Sequence, residues 1–365
     1  MRNTRPLAAV TALLCAAGLA FTGTIGAQAA GTGIDTVAPE GFDVTLYDYS
    51  IGMDSCATPA ANLDTGINKG SNLKFFCSPA DDAGDRNVMD RYINRYGRDS
   101  GYEFPANGTA ERTLNANGYP VMRDDTNHGT ITQDLGYLFD SSQHDGKTVY
   151  RVANPNLLRD DGDGQYTFDG YWGATYDKAS GSFDTYYIGQ NGLFFPFDPQ
   201  GGDWTAKNHY FGMKIEQDFW QPTDGLTLSD KPMKFSFQGD DDVWIFIDGV
   251  LVADLGGINI GDATIDFNTG AIHTWKNMPA QAEGGHGYDT TIREQFEKAG
   301  IVPEGGFDGD TFADNTGHTL TMFYLERGNY ASTFGLSYNL QPVSYPLTYD
   351  LQGGNGIIPN KEAGR

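Results

Sequence analysis

Residues 234–257, KFSFQGDDDVWIFIDGVLVADLGG, constrain the fold of this chain more than any other stretch. Phe235 and Phe237 alternate with Ser236 and Gln238, the period of two of a half-buried strand, and Gly239 is expected to end that run. In the next strand Val243, Ile245 and Ile247 fall on one face and Trp244 and Phe246 on the other, so it needs apolar cover on both sides. Asp248 and Gly249 form a two-residue turn of the kind tight hairpins use, and residues 250–255 supply the return strand.

A hairpin does not account for Asp240, Asp241 and Asp242, three consecutive carboxylates set between two apolar strands. Like charges repel, and burial adds the cost of removing each from water. A hard cation relieves both, and Ca²⁺ prefers carboxylate and carbonyl oxygens. Adjacent strand side chains point to opposite faces, so two neighbouring Asp residues can share one ion only if the backbone kinks, for example at a cis peptide. A structural ion, an ion that bridges to a ligand and no ion at all each fit the triplet alone.

The same residues carry a resemblance. GDDDVWIFIDGVLVADLGG is similar to the signature of the fibro-slime domain, a bacterial surface module that resembles the protective-antigen-type (PA-fourteen) β-sandwich of toxins, glycosidases and adhesins. The resemblance extends upstream to FFPFD at residues 194–198 and downstream to HTLTMFYLERGNYASTFGLSYNL at residues 318–340. In lectin-like members of the wider family an Asp-Asp pair joined by a cis peptide binds Ca²⁺, which in turn binds sugar hydroxyls. The resemblance places that pair on Asp240 and Asp241, with Asp242 bracing the loop, and a ligand-binding group of Asp240, Asp241, Asp242 and Asn259. Asn259 stands where many fibro-slime sequences carry His, and Gly328 where shorter members follow Glu-Arg with His.

From its start the chain reads as exported. Arg2 and Arg5, the apolar residues 7–20 and Ala27-Gln28-Ala29 make a secretory leader over residues 1–29. No later run of about 18 apolar residues is long enough to span a membrane. A formal net charge of −24 repels phosphate and argues against nucleic acid as a partner. Cys56 and Cys77 are the cysteines left after the leader, and export makes a disulfide between them the expected state.

With 48 Gly, 20 Tyr and 22 Phe and few amphipathic helical patterns, the expected fold is all-β. An antiparallel, protective-antigen-like β-sandwich is expected over residues 192–340, with an amino-terminal β-rich region over residues 30–191 and few short helices. Residues 42–52 alternate as a first strand, Val44 and Leu46 on one face and Thr45, Tyr47 and Tyr49 on the other. LGYLF (135–139) and KTVYRV (147–152) read as strand fragments, and helices are expected only at residues 87–96 and 291–299. Residues 341–365 are a linker whose Tyr349-Asp350-Leu351-Gln352-Gly353-Gly354 resembles the opening of a β-grasp repeat, implying further surface-protein domains beyond the carboxyl end.

Catalytic patterns are missing. His-Glu-x-x-His and Gly-x-Ser-x-Gly do not occur, and the six histidines never recur four residues apart. The acidic run at residues 160–163 fails as an EF-hand, because Arg159 and Gly170 would occupy loop positions one and twelve. Glu326 with Arg327 reads as a brace, and Trp244 and Phe246 as core residues in preference to sugar platforms. The resemblance therefore implies a non-catalytic, secreted or cell-surface module of a Gram-positive-type bacterium, an adhesin recognising glycans through Ca²⁺. The alternative is a structural subunit of an extracellular matrix or surface fibre.

Overall fold

A computed structural model describes residues 34–49, 110–122, 133–142, 147–169, 172–187, 194–198, 207–257, 260–277, 286–326 and 332–343. The leader expected over residues 1–29, Cys56, Cys77, the helix expected at residues 87–96, Asn259, Arg327, Gly328 and residues 349–354 lie outside the described residues.

In chain order the strands are β1 (Phe42–Tyr49), β2 (Val121–Met122), β3 (Gln133–Asp134), β4 (Lys147–Val152), β5 (Arg159–Asp160), β6 (Tyr166–Phe168), β7 (Trp172–Asp177), β8 (Ser182–Tyr187) and β9 (Phe211–Gln221). Then follow β10 (Lys234–Asp240), β11 (Asp242–Ile247), β12 (Val250–Asp254), β13 (Ile260–Asp266), β14 (Ala271–Asn277), β15 (His286–Thr291), β16 (Phe307–Asp308), β17 (Thr311–Phe312), β18 (Thr316–Glu326) and β19 (Phe334–Tyr338). A six-stranded sheet runs β12-β11-β18-β9-β1-β4 and a seven-stranded sheet β15-β14-β13-β10-β19-β6-β5, all pairings antiparallel. The fold is the expected all-β sandwich.

Each sheet draws on both sides of residue 192. β1 and β4 continue the six-stranded sheet, and β5 and β6 the seven-stranded one. The period of two in each strand divides the apolar side chains between two cores. Val44, Leu46, Val243, Ile245, Ile247 and Met322 from the first sheet meet Phe235, Phe237, Ile265 and Leu336 from the second in the core between them. Tyr47, Tyr49, Trp244, Phe246, Phe323 and Leu325 point the other way and pack with Ala110, Leu135, Leu138 and Phe139 in a smaller core on the far face of the six-stranded sheet. That second core is the cover that the two-sided pattern of β11 demanded. Asp248 and Gly249 turn the β11–β12 hairpin with φ of 49° and 76°, the two left-handed residues of a type I′ turn.

Two local expectations change. LGYLF is not a strand: Gly136–Phe139 form a single helical turn, α1, whose Gly136 N–H donates to Asp134 Oδ1 at 2.7 Å. Leu135, Leu138 and Phe139 all enter the second core, a spacing that helix satisfies and strict alternation does not. Second, Gly239 does not end its strand, because β10 pairs on to Asp240. The helix expected near residue 291 forms as α2 (Ile292–Ala299), with the Thr291 side chain accepting from Glu294 N–H and Gly300 closing it at φ 71°.

The second core also fixes how the protein meets alkali. Tyr47 and Tyr49 donate to Phe139 O at 2.6 Å and Leu138 O at 2.7 Å, and burial pushes both phenols well above their ordinary value. A raised folded-state pKa contributes stability that is whole below the unfolded value of about 10 and is lost as pH climbs past it. The tyrosinate absorbance that a Tyr47→Phe/Tyr49→Phe double variant lacks is therefore expected to appear only together with loss of far-ultraviolet ellipticity above about pH 10. Ionisation of these two phenols clearly preceding unfolding would contradict this packing.

Candidate functional site

β10 belongs to the seven-stranded sheet and β11 to the six-stranded one, yet a single residue, Asp241, separates them. Its φ of 59° supplies the kink that carries the chain from one sheet to the other, a left-handed conformation that Asp tolerates better than bulky residues. The chain crosses again between β18 and β19. Leu325 pairs with Asp242, and Phe334 pairs with Gly239, so the two crossovers lie side by side. They bring Asp240, Asp241 and Glu326 to one corner of the sandwich.

All three are buried, at 9 %, 4 % and 0 % exposure. Asp240 Oδ1 accepts from Thr333 N–H and, at 3.2 Å, from Thr333 Oγ1, and Asp240 N–H donates to Thr333 O at 3.2 Å. Burial first, and then the Asp241 charge, hold the Asp240 carboxyl well above the carboxylate range despite those Thr333 donors. Glu326 is pushed the same way by burial, by the charges of Asp241 and Asp240, and by a hydrogen bond with the Asp241 side chain. Tyr324 Oη lies 3.5 Å from Glu326 Oε2 and 2.9 Å from Ser332 Oγ. The corner thus concentrates acceptor oxygens whose mutual repulsion a proton or a cation relieves.

Asp242 serves a different neighbour. Its Oδ1 accepts from Gly257 N–H at 2.5 Å, which ties the start of β11 to the loop after β12. Asp254 Oδ1 accepts from Gly256 N–H at 3.0 Å, and its Oδ2 from Ala110 N–H at 3.0 Å. Lys276, reaching in from β14, donates to Gly256 O at 2.7 Å. Trp244 and Phe246 are fully buried and offer no face to a sugar.

Sequence reasoning missed two participants. Glu326 read with Arg327 as an ion pair bracing the sheet, in preference to part of a ligand rim, and only the β11–β18 pairing sets it beside Asp241. Lys276 carried a signal that went unused: Ile272, Thr274 and Lys276 alternate inward along β14. Among the described residues, no group of three or more His, Cys, Asp or Glu side chains is placed so that it could hold a metal ion.

Gly239 keeps the crossover closed. A Cβ there would lie 2.6 Å from both Thr333 O and Phe237 Cζ. Gly239→Val is expected to cost about 1–3 kcal/mol by overpacking, read as a lower urea midpoint with an unchanged slope. Wild-type stability in that variant would mean that the two crossovers do not approach this closely.

No family model matches the chain, and no solved structure matches it. Similar proteins come from Dictyostelium discoideum. Protein psiF is 37% identical over 100 residues, 25% of this chain and 14% of psiF. Protein psiB is 39% identical over 96 residues, 23% of this chain and 15% of psiB. Protein psiR is 28% identical over 129 residues, 35% of this chain and 11% of psiR. The matched segment is thus a small part of each of these longer relatives.

Proposed function

We propose that this chain is a non-catalytic surface-binding module that holds Ca²⁺ at the sheet crossover and meets glycan hydroxyls there. The observation that carries the reading is the gathering of Asp240, Asp241 and Glu326 in one buried corner by two adjacent crossovers. Three carboxyl groups, with Tyr324 and Ser332 hydroxyls alongside, are hard oxygen donors of the kind Ca²⁺ takes. Asp240 and Asp241 would hold the ion and Glu326 would complete the charge. When bound, the ion offers further coordination positions to vicinal hydroxyls, since three carboxyls do not fill its six to eight.

A second reading is favoured by the depth of the same residues. Exposures of 9 %, 4 % and 0 % suit an ion that only fastens the two sheets, as in a structural subunit of a matrix or surface fibre. A glycan array run in calcium and in chelator separates the two. Glycan binding that chelator abolishes is the expected result; calcium-dependent melting without any chelator-sensitive glycan leaves the structural subunit alone.

A further inference from the structure

Lys276 is a charged side chain that the calcium reading does not use. It is 3 % exposed on the inward face of β14 in the seven-stranded sheet, in line with buried Ile272 and Thr274. Asp254, 5 % exposed, ends β12 in the opposite sheet, and Asp242, fully buried, begins β11 beside it. All three converge on one dipeptide. Lys276 Nζ holds Gly256 O at 2.7 Å, Asp254 Oδ1 holds Gly256 N at 3.0 Å and Asp242 Oδ1 holds Gly257 N at 2.5 Å. We propose that Lys276 and Asp254 condense within the folded chain to an isopeptide bond that ties the two sheets together at the Gly256-Gly257 loop.

Geometry favours this pair, because Lys276 and Asp254 both hold Gly256 whereas Asp242 holds Gly257. Burial brings the amine down to about 8, against the opposing charges of Asp254 and Asp242, which leaves a fraction of it neutral and nucleophilic near neutral pH. The step balances without a co-reactant. One proton passes from the Lys276 ammonium to the Asp254 carboxylate. The amine lone pair attacks Cγ, a C–O bond breaks, and the oxygen leaves as water with that proton and a second amine hydrogen. Gly256 N–H and Ala110 N–H already donate to the two Asp254 oxygens, where negative charge develops as the amine adds. Asp242, fixed on Gly257, is a positioning residue.

The product relieves a cost. A buried ammonium and carboxylate are held out of water at a desolvation penalty, whereas an amide carries no charge. Lys147, the other deeply buried lysine among the described residues, makes an instructive contrast. It pairs with Asp140, but that carboxylate is 29% exposed, so water shares the site and stabilises the charges as they stand.

Intact-mass spectrometry of the full chain, with any disulfide reduced, decides the matter. The expected mass lies one water below that of the same chain calculated from its sequence. Proteolysis should give a branched peptide joining the segments of Lys276 and Asp254, and Lys276→Arg should restore the sequence mass. The wild-type measurement stands even where that variant folds poorly. An unmodified wild-type mass, or a branch to a carboxyl other than Asp254, overturns the proposal.

Discussion

Calcium added to chelator-treated protein is expected to raise its melting temperature by roughly 5 to 10 °C. An ion at 100 times its dissociation constant stabilises the fold by about 2.7 kcal/mol, and a domain of about 200 residues shifts by roughly 2–4 °C per kcal/mol. The variants should differ in the shift and in the chelator baseline. Asp241→Asn removes a carboxylate from the corner and is expected to lose most of the shift. Glu326→Gln should also lose it, yet in chelator it should melt no lower than wild type, because one of three mutually repelling buried carboxyls has gone. Asp242→Ala should keep the shift while lowering the baseline, since the acceptor oxygen that serves Gly257 is removed. Superimposable wild-type melts in calcium and chelator would remove the ion from the proposed function.

How far the sequence disclosed this corner depends on the range of the information. The hairpin and the faces of β1 and β11 were legible, because alternation with period two is written locally in Val44 to Tyr49 and Val243 to Ile247. The Asp triplet was legible as an anomaly. Its place at a crossover was not, since nothing in the order of residues says that β10 pairs with β13 and β19 while β11, one residue later, pairs with β12 and β18. Glu326 enters through that long-range pairing alone. The helical turn of α1 was misread because four apolar or small residues in a row satisfy either period, and the cover required by the far face of the sheet decided the matter.

Trp244→Ala is expected to cost about 3–5 kcal/mol, the usual range for deleting a buried aromatic side chain. Trp244 is fully buried and is the largest side chain so enclosed among the described residues, held in the core that Tyr47, Phe139, Phe323 and Leu135 complete. Its loss opens a cavity against a cover made of one helical turn and a short segment around Ala110. The melting temperature should drop by roughly 10 °C or more, with Trp244→Phe losing much less because most of the volume stays. The same substitution discriminates core from platform. A tryptophan that stacks on sugar would be lost from binding with little effect on stability, whereas here glycan binding per folded molecule should hold and the folded fraction should fall. Near-wild-type melting of Trp244→Ala would mean that the far face of the six-stranded sheet is not the packed core described, and with it that β11 is not covered on both sides.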